Sequence, residues 1–338
     1  MFTNEEIRDK ILGNFLGVSI GDALGKPVEG WSHQRIVDKF DRIENYHNCS
    51  DHKYFENDPS GTTTDDWQLT KAVAQAMITS GELNLDEIAS EHVKEFSISV
   101  RGWGTTTREA VGRIDSGVSW KESGKFNKEN YGVGNGVCMK ISPVGLHMAL
   151  TDVKCNNVEY IEKISDMSIM THATSMGVTS GLSHAFATLE CFNMRPEEFN
   201  KNSFINVIIY AATLGRQYCT GTLKDDLQTR FEQLYEDYTP MDIINPKQFG
   251  GGTCYVYNSL PFTYAWFLRN PNNIESLYDC ISAGGDTDTN GSMLAGLLGV
   301  LHGSSIFPNH LINGLKNKDE VFELADQFYK RFNYFGVD

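Results

Sequence analysis

Two short acidic clusters carry the densest chemistry in this sequence. The first reads Gly61-Thr62-Thr63-Thr64-Asp65-Asp66-Trp67, the second Gly284-Gly285-Asp286-Thr287-Asp288-Thr289-Asn290. Each stands just before a predicted helix. Helix N-termini welcome carboxylates, because their first N–H groups lack partners and the dipole favours negative charge. An Asp-Asp or Asp-x-Asp there can therefore be no more than a cap. Taken together, Thr64, Asp65, Asp66, Asp286, Asp288 and Thr289 offer only oxygen, the donor that Mg²⁺ and Mn²⁺ prefer. Four carboxylates gathered without a cation would repel one another. Two divalent ions about 3.5–4 Å apart would neutralise them and create a hydrolytic centre. Spacing alone does not say whether the clusters meet, so capping and metal binding both stand at this point.

The rest of the composition narrows the class. The chain has 338 residues, 40% apolar and 22% charged, ordinary values for a globular protein able to bury a large core. A formal net charge of −15 argues against nucleic acid and against anionic membrane surfaces as partners. It leaves open a small phosphate-bearing ligand held by metals and backbone N–H groups. Seven scattered cysteines, Cys49, Cys138, Cys155, Cys191, Cys219, Cys254 and Cys280, form no C-x-x-C pair. They point to free thiols in a reducing cytoplasm rather than to a disulfide framework or a zinc site. The N-terminus lacks the basic region of a signal peptide, and no apolar run reaches the roughly 18 residues of a membrane span.

The elements that must position the clusters read as helices. Thr3 and Glu6 have the spacing of a capping box, Phe2 and Ile7 that of a hydrophobic staple. Gly13, Gly17, Gly21 and Gly25 recur every four residues. That pattern implies close packing of a buried helix, with Gly21 and Gly25 in the turn that follows. A run from Thr64 stops at Gly81, Asn84 and Glu87 open another helix, and Thr106 and Glu109 a third ending near Gly117. Helical spacing continues over 157–168, 174–192, 203–218, 223–236, 257–269, 275–283, 289–302 and 318–331. Loops are expected over 44–63, 118–136 and 237–253. Few stretches alternate with the period of a strand. The expected fold is all-α, a single compact helical bundle spanning residues 1–338, although length alone would suggest about two domains.

Three motifs occur in a fixed order: Gly21-Asp22-Ala23-Leu24-Gly25-Lys26-Pro27-Val28-Glu29, Thr64-Asp65-Asp66, and Gly284-Gly285-Asp286-Thr287-Asp288-Thr289. Between them stand Gly134-Asn135-Gly136, with Pro143 after it, and Thr171-His172. The set resembles the hallmark motifs of the ADP-ribosylglycohydrolase family, which includes the dinitrogenase reductase-activating glycohydrolases. The resemblance spans about residues 8–305 and implies a single all-α domain of orthogonal helices.

It further implies that Thr64, Asp65, Asp66, Asp286, Asp288 and Thr289 bind two Mg²⁺ or Mn²⁺ ions. Glu29 matches a glutamate at the metal site with a gating or acid–base role, and Glu29, Asp65 and Asp66 are the candidate catalytic acids. Gly134, Asn135 and Gly136 match a loop that approaches ADP-ribose, where glycines would admit backbone N–H groups close to phosphate. His172 matches a histidine near the diphosphate and ribose, and Tyr255 a position that stacks on the nucleotide. For these, the plainer alternatives are a solvated acid, a turn, a structural histidine and a core aromatic. Trp67 stands where many relatives carry Ser or Thr, as a core residue or a wall of the pocket. Gly102, in Arg101-Gly102-Trp103-Gly104-Thr105, stands where some arginine-specific relatives carry aspartate. This departure counts against an arginine linkage, and Gly102→Asp is expected to favour a guanidinium substrate.

The implied reaction is hydrolysis of an ADP-ribosyl bond at the anomeric carbon through an oxocarbenium-like transition state. The partner is then an ADP-ribosylated protein or an ADP-ribosyl small molecule, the product is ADP-ribose, and the chain is expected to be monomeric and cytoplasmic. Two other readings compete. Asp286-Thr287-Asp288-Thr289 imitates the Asp-x-Asp-x-Thr of haloacid dehalogenase phosphatases, a motif that normally ends an apolar strand near the N-terminus. A non-catalytic family member, as certain lens crystallins are, would be expected to lose metal ligands, and all six matched positions are intact.

Overall fold

The computed structural model describes residues 2–218 and 226–333. In chain order the helices are α1 (Asn4–Gly25), α2 (His33–Phe40), α3 (Asp65–Ser80), α4 (Leu85–Ile98), α5 (Thr105–Asp115), α6 (Trp120–Ser123), α7 (Ser142–Leu150), α8 (Val158–Ile169), α9 (Ser175–Asn193), α10 (Lys201–Tyr218), α11 (Leu227–Glu232), α12 (Pro240–Ile244), α13 (Pro246–Phe249), α14 (Val256–Arg269), α15 (Glu275–Ser282), α16 (Thr287–His302), α17 (Asn309–Gly314) and α18 (Lys318–Phe332). Among the described residues there is no strand, only the isolated bridges Ser32 to Gly284 and Gly134 to Tyr255. The all-α expectation holds.

Local chemistry sets most helix ends. Thr3 and Glu6 form the reciprocal capping box, Asn84 accepts the Glu87 N–H, and Gly81 closes α3 in the left-handed conformation. Several expectations need correction. Gly21 and Gly25 are not in a turn; α1 runs through both. Helix α5 starts one residue before Thr106, with Gly104 at the cap and no side-chain cap bond. Thr106 and Glu109 turn instead to the 128–132 segment, where Glu109 meets Lys128 and Tyr131. The loops 118–136 and 237–253 contain the short helices α6, α12 and α13, while α2, α7 and α17 lie where no helix was expected. Part of the 223–236 prediction, like Cys219, lies outside the described residues; the six described cysteines are free.

The central packing event is the antiparallel contact of α1 with α16. A Cβ built on Gly13, Gly17, Gly21 or Gly25 would come within 2.1–2.2 Å of the carbonyl oxygens of Gly299, Ala295, Gly291 and Thr287 respectively. No side chain fits there, so the backbones touch. Lys10, Asn14 and Thr287 then bond carbonyls across the same seam. The consequence is positional: the C-terminal end of α1 lies against the N-terminal end of α16, which brings Asp22 beside Asp288. Helices α3 and α18 flank α1, where Phe15 meets Trp67 and Phe328 edge to face. The main apolar cluster runs from Ile11 to Phe332, and a smaller one, Leu69, Trp103, Val111 and Met139, lies among α3, α5 and the turn before α7. No helix among the described residues is long and apolar enough to cross a membrane.

Candidate functional site

The two acidic clusters meet. Asp65 and Asp66 occupy the first turn of α3, Asp286 precedes α16, and Asp288 lies in its first turn. Neither Thr64 nor Asp286, the residues at the two cap positions, makes a side-chain cap bond. The α3 N-terminus is satisfied from another helix: the buried Asp22 carboxylate accepts the Thr64 N–H at 2.9 Å and the Trp67 N–H at 3.0 Å. Capping therefore does not account for the clusters.

One oxygen each from Asp22, Asp66 and Asp288 lie within 4.8 Å of one another, and so do one each from Glu29, Asp286 and Asp288. Asp288 belongs to both groups. The Thr289 hydroxyl donates to Asp66 Oδ2 at 3.1 Å and the Thr64 hydroxyl to the same oxygen at 3.4 Å. Asp66 Oδ1 is buried without any hydrogen-bond donor. Two all-oxygen groups sharing one carboxylate, with an orphaned buried oxygen among them, fit a pair of hard divalent cations. Asp22 is the ligand candidate that the residue patterns did not single out; Asp65 falls outside both groups and stands on the wall of the adjoining cavity.

The electrostatics agree. Burial raises Asp65 to about 8, with Asp22 the next cause. Burial also lifts Asp66 and Asp288 well above the usual carboxylate range, helped by Asp22 and Asp65 for the former and by Glu29 and Asp286 for the latter. Burial takes Asp286 to about 6 and Asp22 to about 6, the latter held back by the N–H groups of Thr64 and Trp67. In the metal-free protein these carboxylates compete for protons; a dication would replace those protons.

Over this floor opens a cavity of about 750 Å³, lined by Glu29, Asp65, Asp286, Asp288 and Thr289 on one side and by Gly134, Asn135, Gly136, His172 and Tyr255 on the other. Its size is that of a cofactor or nucleotide pocket. Every predicted site residue except the buried Thr64 and Asp66 lines it. Residues 133–135 and 254–256 are zipped together, Asn135 N–H to Cys254 O at 3.0 Å and Val256 N–H to Val133 O at 3.0 Å. The Asn135 N–H is thus spent and does not face a phosphate. Its side chain instead donates to Asp286 Oδ2 at 2.6 Å and to Ser259 at 3.1 Å, fixing a metal-ligand candidate. Gly136 is small because a Cβ would meet Thr107 Oγ1 at 2.7 Å and His172 Cε1 at 2.9 Å. His172 is buried, its Nδ1 beside Thr171 Oγ1 at 2.9 Å, and burial lowers it to about 3, so the ring is uncharged.

Trp67 is core rather than pocket, its Nε1–H donating to Glu320 at 2.7 Å. Gly102 does line the cavity, but its φ is +91° and a Cβ there would lie 2.9 Å from both Asp65 Oδ1 and Phe55 Cζ. An aspartate would be strained and would press a second carboxylate on Asp65. Gly102→Asp would therefore disturb the cavity wall rather than add a counter-ion for a guanidinium. Asp286 follows the left-handed pair Gly284-Gly285 and a helix, not a strand, which removes the structural basis of the phosphatase reading.

The family model of the ADP-ribosylglycohydrolases matches residues 3–334. ADP-ribosylhydrolase ARH3 of Xenopus tropicalis is 25% identical over 362 aligned positions, covering 94% of this chain and 95% of the relative. The ADP-ribosyl-[dinitrogen reductase] glycohydrolase of Rhodospirillum rubrum is 25% identical over 145 residues, 43% of this chain and 46% of that protein. A solved structure titled ADP-ribosylglycohydrolase-related protein complex superposes with a TM-score of 0.70 at 20% identity, over 97% of this chain and 99% of that one, which establishes the shared fold. This chain belongs to the ADP-ribosylglycohydrolase family.

Proposed function

We propose that this protein is a metal-dependent ADP-ribosylhydrolase, one domain acting at the anomeric carbon of an ADP-ribosyl group on a protein side chain or small molecule. The observation that carries this reading is the pair of acidic groups sharing Asp288 at the floor of the 750 Å³ cavity. Asp22, Asp66 and Asp288 would hold one Mg²⁺ or Mn²⁺ and Glu29, Asp286 and Asp288 the other, with Thr64 and Thr289 beside them. A divalent pair supplies Lewis acidity and lowers the pKa of water.

The chain's own groups then divide the remaining work. Asp65, on the wall, would orient the attacking water and accept its proton, while the partly exposed Glu29 stays with Asp286 and Asp288. The bond from the anomeric carbon to the acceptor breaks, water supplies the new hydroxyl, and the acceptor leaves with a proton. Asn135 holds Asp286 still throughout. His172, uncharged, offers a hydrogen bond to ribose or diphosphate rather than a cation. Tyr255, on the opposite wall, offers a ring face for the base. Among the described residues the cavity lining offers no carboxylate beyond Asp65 and the two acidic groups, which supports an uncharged acceptor over a guanidinium.

The test is release of ADP-ribose from a panel of arginine-linked, serine-linked and small-molecule ADP-ribosyl substrates, each with chelator, Mg²⁺ or Mn²⁺. Metal-restored release from at least one is expected. No release from any, by a folded protein that binds both metal and ADP-ribose, would contradict the proposal.

A further inference from the structure

The loop at 49–62 carries a second layer of the site. His52 is buried, and its Nε2 lies 2.8 Å from Glu29 Oε2. Its other ring nitrogen accepts the Tyr54 backbone N–H at 3.1 Å. An N–H pointing at Nδ1 excludes a proton there, so the ring proton must sit on Nε2, where it donates to the Glu29 carboxylate. The Tyr54 N–H thus selects the tautomer, and the tautomer fixes the glutamate.

The loop itself is tied down in several places. The His52 N–H donates to Cys49 O at 2.8 Å, and the ring packs on Phe55 with centroids 4.7 Å apart. Lys26, fully buried three residues before Glu29, reaches Asp58 at 2.6 Å and Thr62 at 2.7 Å and lies 4.4 Å over the Phe55 ring. Arg101 grips Asp58 from the outer side at 2.7 Å. The segment that offers Glu29 to the cavity and the loop that orients it are therefore locked to each other by Lys26. Without His52, Glu29 would be a half-exposed side chain with free rotamers at the cavity mouth.

We infer that His52 is the positioning residue for Glu29, holding its carboxylate in the orientation that completes the Glu29–Asp286–Asp288 group. The inference rests on the functional proposal above for the role of that group. His52→Phe keeps a ring on Phe55 and removes the donor; His52→Gln replaces the ring but returns an N–H near the Nε2 position. On the full chain, Mn²⁺ titration without substrate should show a 10- to 100-fold weaker second site in His52→Phe, the range for losing an outer partner of a metal ligand. ADP-ribose release should fall in kcat with KM little changed, and His52→Gln should restore most of both. Wild-type Mn²⁺ affinity in His52→Phe, or equal damage in the two variants, would overturn the role of His52 alone. A wild-type chain that binds neither Mn²⁺ nor Mg²⁺ would overturn the functional proposal and this role with it.

Discussion

Replacing Gly21 by alanine should disable the site from behind. The new methyl would lie 2.2 Å from Gly291 O and 2.3 Å from Gly291 C, where ordinary contact begins near 3.4 Å. The backbones of α1 and α16 must therefore part by about 1 Å. Such overpacking costs about 1–3 kcal/mol, partly offset by the roughly 1 kcal/mol that alanine gains over glycine in a helix. Asp22 is the next residue along α1, and its partners Asp66 and Asp288 stand on the other helices. A displacement of ~1 Å at such a centre costs about 10²-fold in rate. Gly13→Ala supplies the control: its methyl meets Gly299 O, also at 2.2 Å, but eight residues, or about 12 Å, away along the helix. Urea unfolding should show similar losses of stability in the two variants. Mn²⁺ affinity and ADP-ribose release should collapse in Gly21→Ala and largely survive in Gly13→Ala. Equal activity in both variants, or an intact Gly21→Ala, would refute the claim that the α1–α16 contact sets the metal geometry.

Two further expectations follow from charge and burial. Metal-free protein should lose stability as pH rises: Asp22 and Asp286 near 6 and Asp65 near 8 stand above the unfolded value of about 4, so their favourable contribution is complete below about pH 4 and gone above about pH 8. Melting in chelator should thus be lower at pH 8 than at pH 5, and Mg²⁺ should raise it more at pH 8; a metal-free melting temperature that climbs over that range would contradict the protonated cluster. Lys140 is buried with its amine unpartnered and is lowered by burial to about 7. Lys140→Met should therefore stabilise the protein at pH 7, and its advantage over wild type should shrink toward pH 10, because the unfolded lysine surrenders its proton only near 10.4. A constant difference in urea midpoints across that range would show that the amine keeps its charge in the fold.

Much of the site could be read from residue types because hard-cation chemistry needs oxygen donors and helix N-termini tolerate them; Asp66, Asp286 and Asp288 duly converge. Asp22 is not legible as a site residue from the sequence alone. It sits inside a helix with no acidic neighbour, and only the contact with α16 gives it partners. The signal was present as two matched stripes, Gly13-Gly17-Gly21-Gly25 and Gly291-Ala295-Gly299, each with a period of four. His52 left no pattern, because its pairing with Glu29 is a loop crossing 23 residues later. Helix α7 escaped for a different reason: it is buried almost all round, so its apolar residues show no helical stripe. At the Gly134–Gly136 loop the residue types answer to more than phosphate approach, since Asn135 holds Asp286 and Gly136 makes room for Thr107 and His172.

The central claim is that the clusters at 64–66 and 286–289 are halves of one metal site. A double-mutant cycle of Asp66→Asn and Asp288→Asn tests it, read as Mn²⁺ affinity and as ADP-ribose release, with melting curves in chelator. Each single variant should lose at least ~10² in release rate, the scale of removing one stabiliser of transition-state charge. The double variant should be scarcely worse than either. All three should melt in chelator at or above the wild-type temperature, since each removes a buried carboxyl that must otherwise take up a proton or carry an uncompensated charge. Additive losses, or metal binding that survives either change, would show two independent clusters and contradict the shared site.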